Sequence, residues 1–365
     1  MKRILCIISS MNTGGAETFL MKMYRSFDRT KYQMDFCVVS KENYYESEIK
    51  SLGGKIYYIP LKSKHPIASF NAIKNIVREN NYKYVMRVNE HSLSTIDLLA
   101  AKFGGAKKLI MRSSNASSGS KISILLHNIF KFMPKVIPNV KFAPSIKSAE
   151  YTFGKRDVKI GKVCILKNGL YIDDFKFNKE NRINLRRNLC IENSFVIGHI
   201  GRFSRQKNHN FLINVFNEVK KIKNNAVLVL IGSGSLEKEI KSKVLELGLD
   251  ESVKFLGLRT DIVNLLSSMD VFLFPSFFEG MPNTVIEAQT SGLPCILSDT
   301  ITKEAAVTKY VEFLSLNDSA KIWASKVLDF VDTSDEQRKL AAQEMRNKRY
   351  NIEDTVKLFI DTVFG

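Results

Sequence analysis

Two glutamates eight positions apart, Glu279 and Glu287, flank the segment Gly280-Met281-Pro282-Asn283-Thr284. An ionised carboxylate only accepts hydrogen bonds, so two of them at one site suit a ligand rich in hydroxyl groups. A second cluster, Gly201-Arg202-Phe203-Ser204-Arg205-Gln206-Lys207, carries the opposite charge. Arg202 offers a planar bidentate fork and Lys207 a compact point charge, a combination suited to a diphosphate. Gly201 permits close backbone approach to such a ligand. A third loop, Gly232-Ser233-Gly234-Ser235, adds little by itself, because short Gly/Ser turns close many strand-to-helix connections.

These residues need elements to position them. The apolar run Val271-Phe272-Leu273-Phe274, ended by Pro275, predicts a fully buried parallel strand. Asn283 is expected to cap a helix that runs through Thr284 to Ser291 and stops at Gly292. Glu279 then lies in the loop at the carboxyl end of a strand, and Glu287 about one turn into the next helix. Phe195 to Ile200 predicts a second buried strand, followed by the basic loop and a helix from about Asn210. Ala226 to Ile231 predicts a third, with a helix from Leu236. Open α/β sheets bind ligands at the carboxyl ends of their strands, and helix N-termini there favour phosphate. Two glutamates alone fit a solvated loop before an amphipathic helix equally well. A basic loop and an acidic loop at strand ends of one sheet form a more specific constellation.

The strings Gly201-Arg202-Phe203-Ser204-Arg205-Gln206-Lys207-Asn208-His209, the turn Phe255 to Asp261 and the segment Phe274 to Asp299 resemble the donor-binding half of retaining glycosyltransferases of sequence family 4. Gly14-Gly15-Ala16-Glu17 is similar to that family's N-terminal glycine loop. Lys167-Asn168-Gly169 with Asp173 and Phe175 is similar to its domain junction. The resemblance covers nearly the whole chain and is thinner between roughly Tyr57 and Phe153. It is nearest in style to transferases that build capsular polysaccharide, exopolysaccharide or O-antigen.

The resemblance implies an α/β fold of two Rossmann-like, doubly wound domains facing each other across a cleft, the GT-B fold. Residues 1–169, with a final helix at 351–365, would form an acceptor-binding domain, and residues 170–350 the donor-binding domain. The implied donor is a nucleotide-diphosphate sugar, with a UDP-sugar the expected class. Arg202 and Lys207 would hold its diphosphate, Glu287 the ribose, and Glu279 the sugar near its reacting carbon. Gly15 would approach the phosphates from the first domain. Gly201, Arg259, Gly280, Met281, Pro282, Asn283 and Thr284 complete the implied donor site. Gly14, Glu17, Arg112 and Asn115 are the acceptor-side candidates. Many members carry a histidine-containing triplet after the fifth strand, where this chain has Met111-Arg112-Ser113-Ser114-Asn115. His91 is the nearest substitute, and it reads equally well as part of a helix-capping loop. The family implies retention of configuration with no metal and no cofactor. The sequence itself shows no Asp-x-Asp motif in a suitable loop and no Cys/His cluster at metal-ligand spacing.

The βα alternation extends through the first half, with strands expected near residues 3–8, 34–39, 55–59, 84–88, 107–111 and 139–143. A chain of 365 residues with 44% hydrophobic residues supports two cores rather than one. No apolar run reaches spanning length, and Met1-Lys2-Arg3 leads directly into a strand without a cleavable-signal pattern. The scattered cysteines Cys6, Cys37, Cys164, Cys190 and Cys295 suggest reduced thiols in a cytosolic protein.

Charge is unevenly divided. Residues 1–170 hold 29 Lys and Arg against 11 Asp and Glu, while residues 171–365 hold 26 of each. The whole excess of +18 therefore sits in the first half. No acidic residue occurs between Asp97 and Glu150. Within that stretch, Lys121 to Val136 mixes lysines with Ile124, Leu125, Ile129 and Phe132 at helical spacing. Such a segment either packs on the core with solvated lysines or lies on an anionic membrane surface. The membrane reading matches a lipid-diphosphate-linked glycan acceptor and a cytoplasmic protein peripherally attached to the inner face of the cell membrane. A nucleic-acid partner is not expected, because no recognition-helix motif or aromatic-interleaved basic sheet accompanies the charge. Three functional classes follow: a sugar transferase, a nucleotide-sugar epimerase of the same fold, and a non-catalytic nucleotide-sugar-binding component. The intact Arg202, Lys207, Glu279 and Glu287 set favours the first.

Overall fold

The segment Ala226–Ile231 reads Ala-Val-Leu-Val-Leu-Ile, and all six residues are buried. A strand with no polar face must be covered on both sides, which is the situation of a parallel sheet between two helical layers. Phe195–Ile200, Val271–Phe274 and Cys295–Ser298 are likewise buried at every position. The computed structural model, which describes residues 1–89, 91–114, 127–331 and 333–365, realises that arrangement twice. One unit comprises Met1–Leu170 with Tyr350–Gly365, and the other Tyr171–Arg349.

The sheet of the first unit contains β1 (Lys2–Ile7), β2 (Tyr32–Val38), β3 (Ile56–Tyr58), β4 (Tyr84–Asn89), β5 (Lys108–Ser113), β6 (Val140–Ala143) and β7 (Cys164–Ile165). Its order is β3-β2-β1-β4-β5-β6-β7, with every pair parallel. The two-residue β7 had no counterpart in the sequence reading, because a strand that short shows no hydrophobic period. The second unit contains β8 (Phe195–Ile200), β9 (Ala226–Ile231), β10 (Val253–Phe255), β11 (Val271–Phe274), β12 (Cys295–Ser298) and β13 (Val311–Leu314). Its parallel order is β10-β9-β8-β11-β12-β13. In each sheet the strand order reverses once, between β1 and β4 and between β8 and β11. Those are the switch points where doubly wound sheets open a crevice for a ligand.

The final helix, Ile352–Phe364, belongs to the first unit. Phe359 packs on Phe27 and Phe142, and Phe364 on Tyr32 and Tyr84, with ring centroids 4.8–6.0 Å apart. A parallel bridge from Leu170 to Asn351 ties the chain leaving the first sheet to the start of that helix. Cys6, Cys37 and Cys295 are buried free thiols within strands, and Cys190 is exposed.

The helix Asn283–Thr290 differs from expectation at its start. Pro282 occupies the cap position and Asn283 is the first helical residue, with no side-chain cap bond. Proline's fixed φ and the extended backbone at residue 282 set the entry instead. The far end follows expectation. Gly292 adopts φ +68°, its N–H bonds Gln289 O, and Leu293 N–H bonds Ala288 O. A Cβ at residue 292 would lie 2.4 Å from the Cα and the carbonyl oxygen of Arg338. Arg338 is buried there, over the Phe177 ring, and donates to the carbonyls of Leu266, Met269 and Ser291. Gly292→Ala should therefore destabilise the second unit by roughly 1–3 kcal/mol, through backbone strain and overpacking together. Urea unfolding checks it: the midpoint should fall while the m-value holds.

Candidate active site

β8 and β11 are adjacent, with Val271 opposite Ile197 and Phe272 opposite Gly198. Their carboxyl-terminal loops consequently run side by side. After Gly201 the chain makes a short 3-10 turn, Arg205–Lys207, and enters the helix His209–Ile222 through Asn208. Asn208 takes the left-handed conformation, φ 55°, which asparagine tolerates better than most residues. Its side-chain Nδ2 donates to Pro275 O at 3.2 Å. Gln206 Nε2 donates to Phe278 O, and Phe277 N–H donates to Gln206 O, each at 2.9 Å. These bonds stitch the basic loop to the acidic one.

The outcome is an ion pair. Lys207 Nζ donates to Glu279 Oε1 at 2.7 Å and stands 4.4 Å from the centre of the Phe274 ring. Both side chains are largely shielded, with 16% and 11% of their surface exposed. The sequence reading gave Lys207 and Glu279 separate parts of a ligand, and the structure brings them into direct contact. Arg202 lies exposed beside them. Glu287 is 9% exposed, one turn into the helix Asn283–Thr290, and Gly280, Met281 and Pro282 are buried at that helix's entry. Thr284 is half-buried in its first turn.

Gly201 is required by packing, since a Cβ there would meet His199 Nε2 at 2.9 Å and the Lys207 stem at 3.2 Å. Its N–H bonds Ile231 O at the end of β9, while Phe203 N–H bonds Ser233 O and Gly232 N–H bonds Gly257 O. The loops after β8, β9 and β10 are thereby linked in sequence. Arg259 is exposed and forms a two-pronged salt bridge to Asp261, both contacts at 2.7 Å. Its neighbour Leu258 is 71% exposed after Gly257 turns the chain at φ +63°.

The remaining sequence candidates belong to the first unit. Gly14 precedes the helix Gly15–Arg25, of which Gly15 is the first residue, and Glu17 in its first turn meets Ser10 Oγ at 3.5 Å. His91 precedes the 3-10 turn Ser92–Thr95, its carbonyl accepting from Ser94 N–H and Oγ. Arg112, an acceptor-side candidate, points into the first unit's interior. It is 2% exposed, stacked 3.8 Å from the centre of the Phe19 ring, and donates to Asn168 Oδ1 at 2.5 Å. Burial draws its pKa down to about 9. Asn115 lies outside the described residues.

Two residues behind the pair were not singled out by sequence. His199 and His209 are buried on the reverse side of the Gly201 loop, their rings 4.8 Å apart and edge to face. His199 Nδ1 lies 2.8 Å from Leu273 O, so this nitrogen carries the proton and donates. His209 stacks on Phe203 at 4.3 Å. Burial first, and then the nearby Lys207 charge, bring His209 down to about 4; burial and His209 lower His199 further. Both rings are neutral at pH 7 and keep a second positive charge away from Lys207. In the unfolded chain they titrate near 6.5. The unfolded state therefore binds more protons below that value, and the stability they confer is complete above about pH 6.5 and is lost as pH falls toward 4. The second unit should lose stability between about pH 7 and pH 5, by up to roughly 1.4 kcal/mol per pH unit for each imidazole. His209→Phe should flatten the melting-temperature profile across that range, and an unchanged profile would exclude His209 as a source.

Residues 181–347 match the family model described as glycosyl transferases group 1. The putative glycosyltransferase EpsF of Bacillus subtilis is 30% identical over 366 residues, spanning 97% of this chain and 94% of that protein. The UDP-Gal:α-D-GlcNAc-diphosphoundecaprenol α-1,3-galactosyltransferase of Escherichia coli is 36% identical over 149 residues, 38% of this chain and 37% of that one. Among solved structures, HepE of Anabaena in complex with UDP and glucose superposes with TM-score 0.81 at 17% identity, covering 100% of both chains. That likeness shows the fold to be GT-B. With the strand-end ion pair, the two doubly wound sheets and a relative alike over almost its full length, this chain belongs to the group 1 glycosyltransferases and is a glycosyltransferase.

Proposed function

We propose that the enzyme transfers a sugar, with retention of configuration, from a UDP-sugar to a lipid-diphosphate-linked glycan during synthesis of a surface polysaccharide. The carrying observation is the shielded Lys207–Glu279 pair at the β8/β11 switch point. The E. coli relative, named for a UDP-Gal donor and a diphosphoundecaprenol acceptor, supports the substrate classes, and HepE, solved with UDP, supports the nucleotide.

In this reading Lys207 and Arg202 bind the donor diphosphate, Gly201 lets it approach, and Glu287 accepts from the ribose hydroxyls. Glu279 orients Lys207 and faces the donor sugar. The acceptor hydroxyl attacks the anomeric carbon, the bond from that carbon to the phosphate oxygen breaks, and the departing phosphate takes the acceptor's proton. Negative charge grows on the leaving group, and a preorganised cation there contributes most at the transition state. Residues 1–170 supply the acceptor side in this scheme, with His91, Gly14, Gly15 and Glu17 as its polar candidates.

Donor binding and turnover separate these roles. Lys207→Ala and Arg202→Ala should each lower kcat by on the order of 10²–10³, the effect of losing one well-placed donor at a developing charge. Glu287→Ala should weaken UDP binding in calorimetric titration by roughly tenfold, the loss of about 1.4 kcal/mol. Glu279→Ala should bind UDP nearly as wild type and lose turnover. Equal losses of UDP affinity in the two glutamate variants would contradict the assignment. A panel of nucleotide sugars, scored by hydrolysis and by melting-temperature shift, identifies the donor.

The second element of the proposal is attachment to an anionic membrane. Ile129, Phe132 and Val136 are 55%, 62% and 77% exposed, interspersed with Lys131 and the exposed Lys135. Lys121, Ile124 and Leu125 lie outside the described residues. No described helix is long and apolar enough to cross a membrane. Apolar side chains beside lysines suit the headgroup boundary, where each Lys contributes about 1 kcal/mol near anionic lipid. The protein should pellet with vesicles containing phosphatidylserine, less as salt rises, and weakly with phosphatidylcholine alone. Changing Lys131 and Lys135 together to Glu should remove the salt-sensitive part and leave UDP binding intact. Indifference of wild type to anionic vesicles at low salt would refute the attachment.

A further inference from the structure

The switch point of the first sheet holds a cavity of about 740 Å³ at the carboxyl ends of β1 to β4. That volume lies within the roughly 300–1,000 Å³ of small-molecule sites. Its walls are mainly aliphatic and aromatic: Ile7, Ile59, Leu61, Ile67, Phe70 and Ile96 contribute. Leu61, after β3, and Ile67, in the first turn of the helix Pro66–Glu79, are 44% and 77% exposed and form an apolar lip.

The polar groups in this cavity are largely committed to one another. Arg87 donates from Nε to Asp97 at 2.9 Å and from Nη1 to the carbonyl of Ile7 at 3.0 Å. Asp97 also pairs with Lys62. Ser94 Oγ donates to His91 O at 2.7 Å. The fully buried Ser69 hydroxyl makes no hydrogen bond among the described residues. A sugar ring entering such a space would bury several hydroxyls against a mainly apolar wall, and each unpaired hydroxyl is unfavourable. A hydrocarbon needs no partners there. Charge points to what the hydrocarbon is attached to: Lys62 and Arg87 against Asp97 leave one net positive charge in the wall, and Lys62 keeps 27% of its side chain exposed.

We propose that this cavity takes the hydrocarbon segment adjoining the diphosphate of the lipid-linked acceptor, with Lys62 facing the diphosphate. The inference rests on the acceptor class given under the proposed function and adds that the enzyme reads the carrier chain as well as the glycan.

The test uses the full chain with saturating UDP, so that the donor site is filled. Calorimetric titration with ethyl, hexyl and decyl diphosphate should show affinity rising with chain length, up to roughly fourfold per methylene buried, the ratio given by about 0.8 kcal/mol per CH₂. Ser69→Leu fills the cavity from its wall and should abolish the chain-length dependence, with its urea midpoint unchanged or raised. Ile67→Asp, at the exposed lip, should weaken decyl diphosphate at least tenfold without loss of fold. Equal affinity for all three chains, or a dependence untouched by both substitutions, would overturn the inference. Transfer assays separate the two readings. Equal kcat/KM for one glycan carried on ethyl or on decyl diphosphate removes the chain-reading cavity and leaves the acceptor class standing, whereas rejection of both carriers removes both.

Discussion

The second unit is organised by the contact of two strands distant in sequence, β8 and β11. Parallel neighbours end on the same edge of the sheet, so their outgoing loops are forced together. Loop backbone buried in that way must find partners. Gln206 and Asn208 supply them by bonding Phe277, Phe278 and Pro275. With the backbones fixed, Lys207 and Glu279 have little choice of position. Each is mostly shielded from water, where an unpaired charge is costly, and the pair satisfies both. A diphosphate in that place offers the lysine a second anion.

The sheet behind the pair explains why the loop can be so constrained. His199, Phe272, Phe274 and His209 form an aromatic layer under Gly201. Neutral imidazoles fill space there without adding charge beside Lys207. A Cβ at Gly201 would press on both His199 and the lysine stem, so glycine here serves packing as much as ligand approach.

Local chemistry in the sequence carried much of this and geometry between distant segments did not. The runs Phe195–Ile200, Ala226–Ile231 and Val271–Phe274 were readable because a strand covered on both faces needs no polar position. Gly292 was readable because a left-handed helix stop favours glycine. Strand order and the Lys207–Glu279 contact were not, since 72 positions separate the two residues and no local pattern records a crossover. Arg112's surroundings were equally illegible. No local pattern records that its guanidinium lies against the Phe19 ring and is buried. Asn283 reads as a cap because its amide commonly fills that role, and Pro282 holds the position by backbone shape instead.

The two sheets share the order in which their central strands reverse, and the chemistry at their switch points has diverged. In the second unit the strand ends present glycine, cations and carboxylates. In the first they present isoleucine, leucine and phenylalanine around ionic groups that bond each other. Acidic residues of the first half are mostly engaged in the same manner: Asp35 with Arg3 and Tyr82, Glu48 with Arg25, Asp157 with Lys141. With so few carboxylates and most of the described ones engaged, the surplus lysines of residues 1–170 have little internal anion to meet. Under the proposed function, an amphiphile with an apolar chain and a phosphate head would match both the apolar cavity and the surplus lysines.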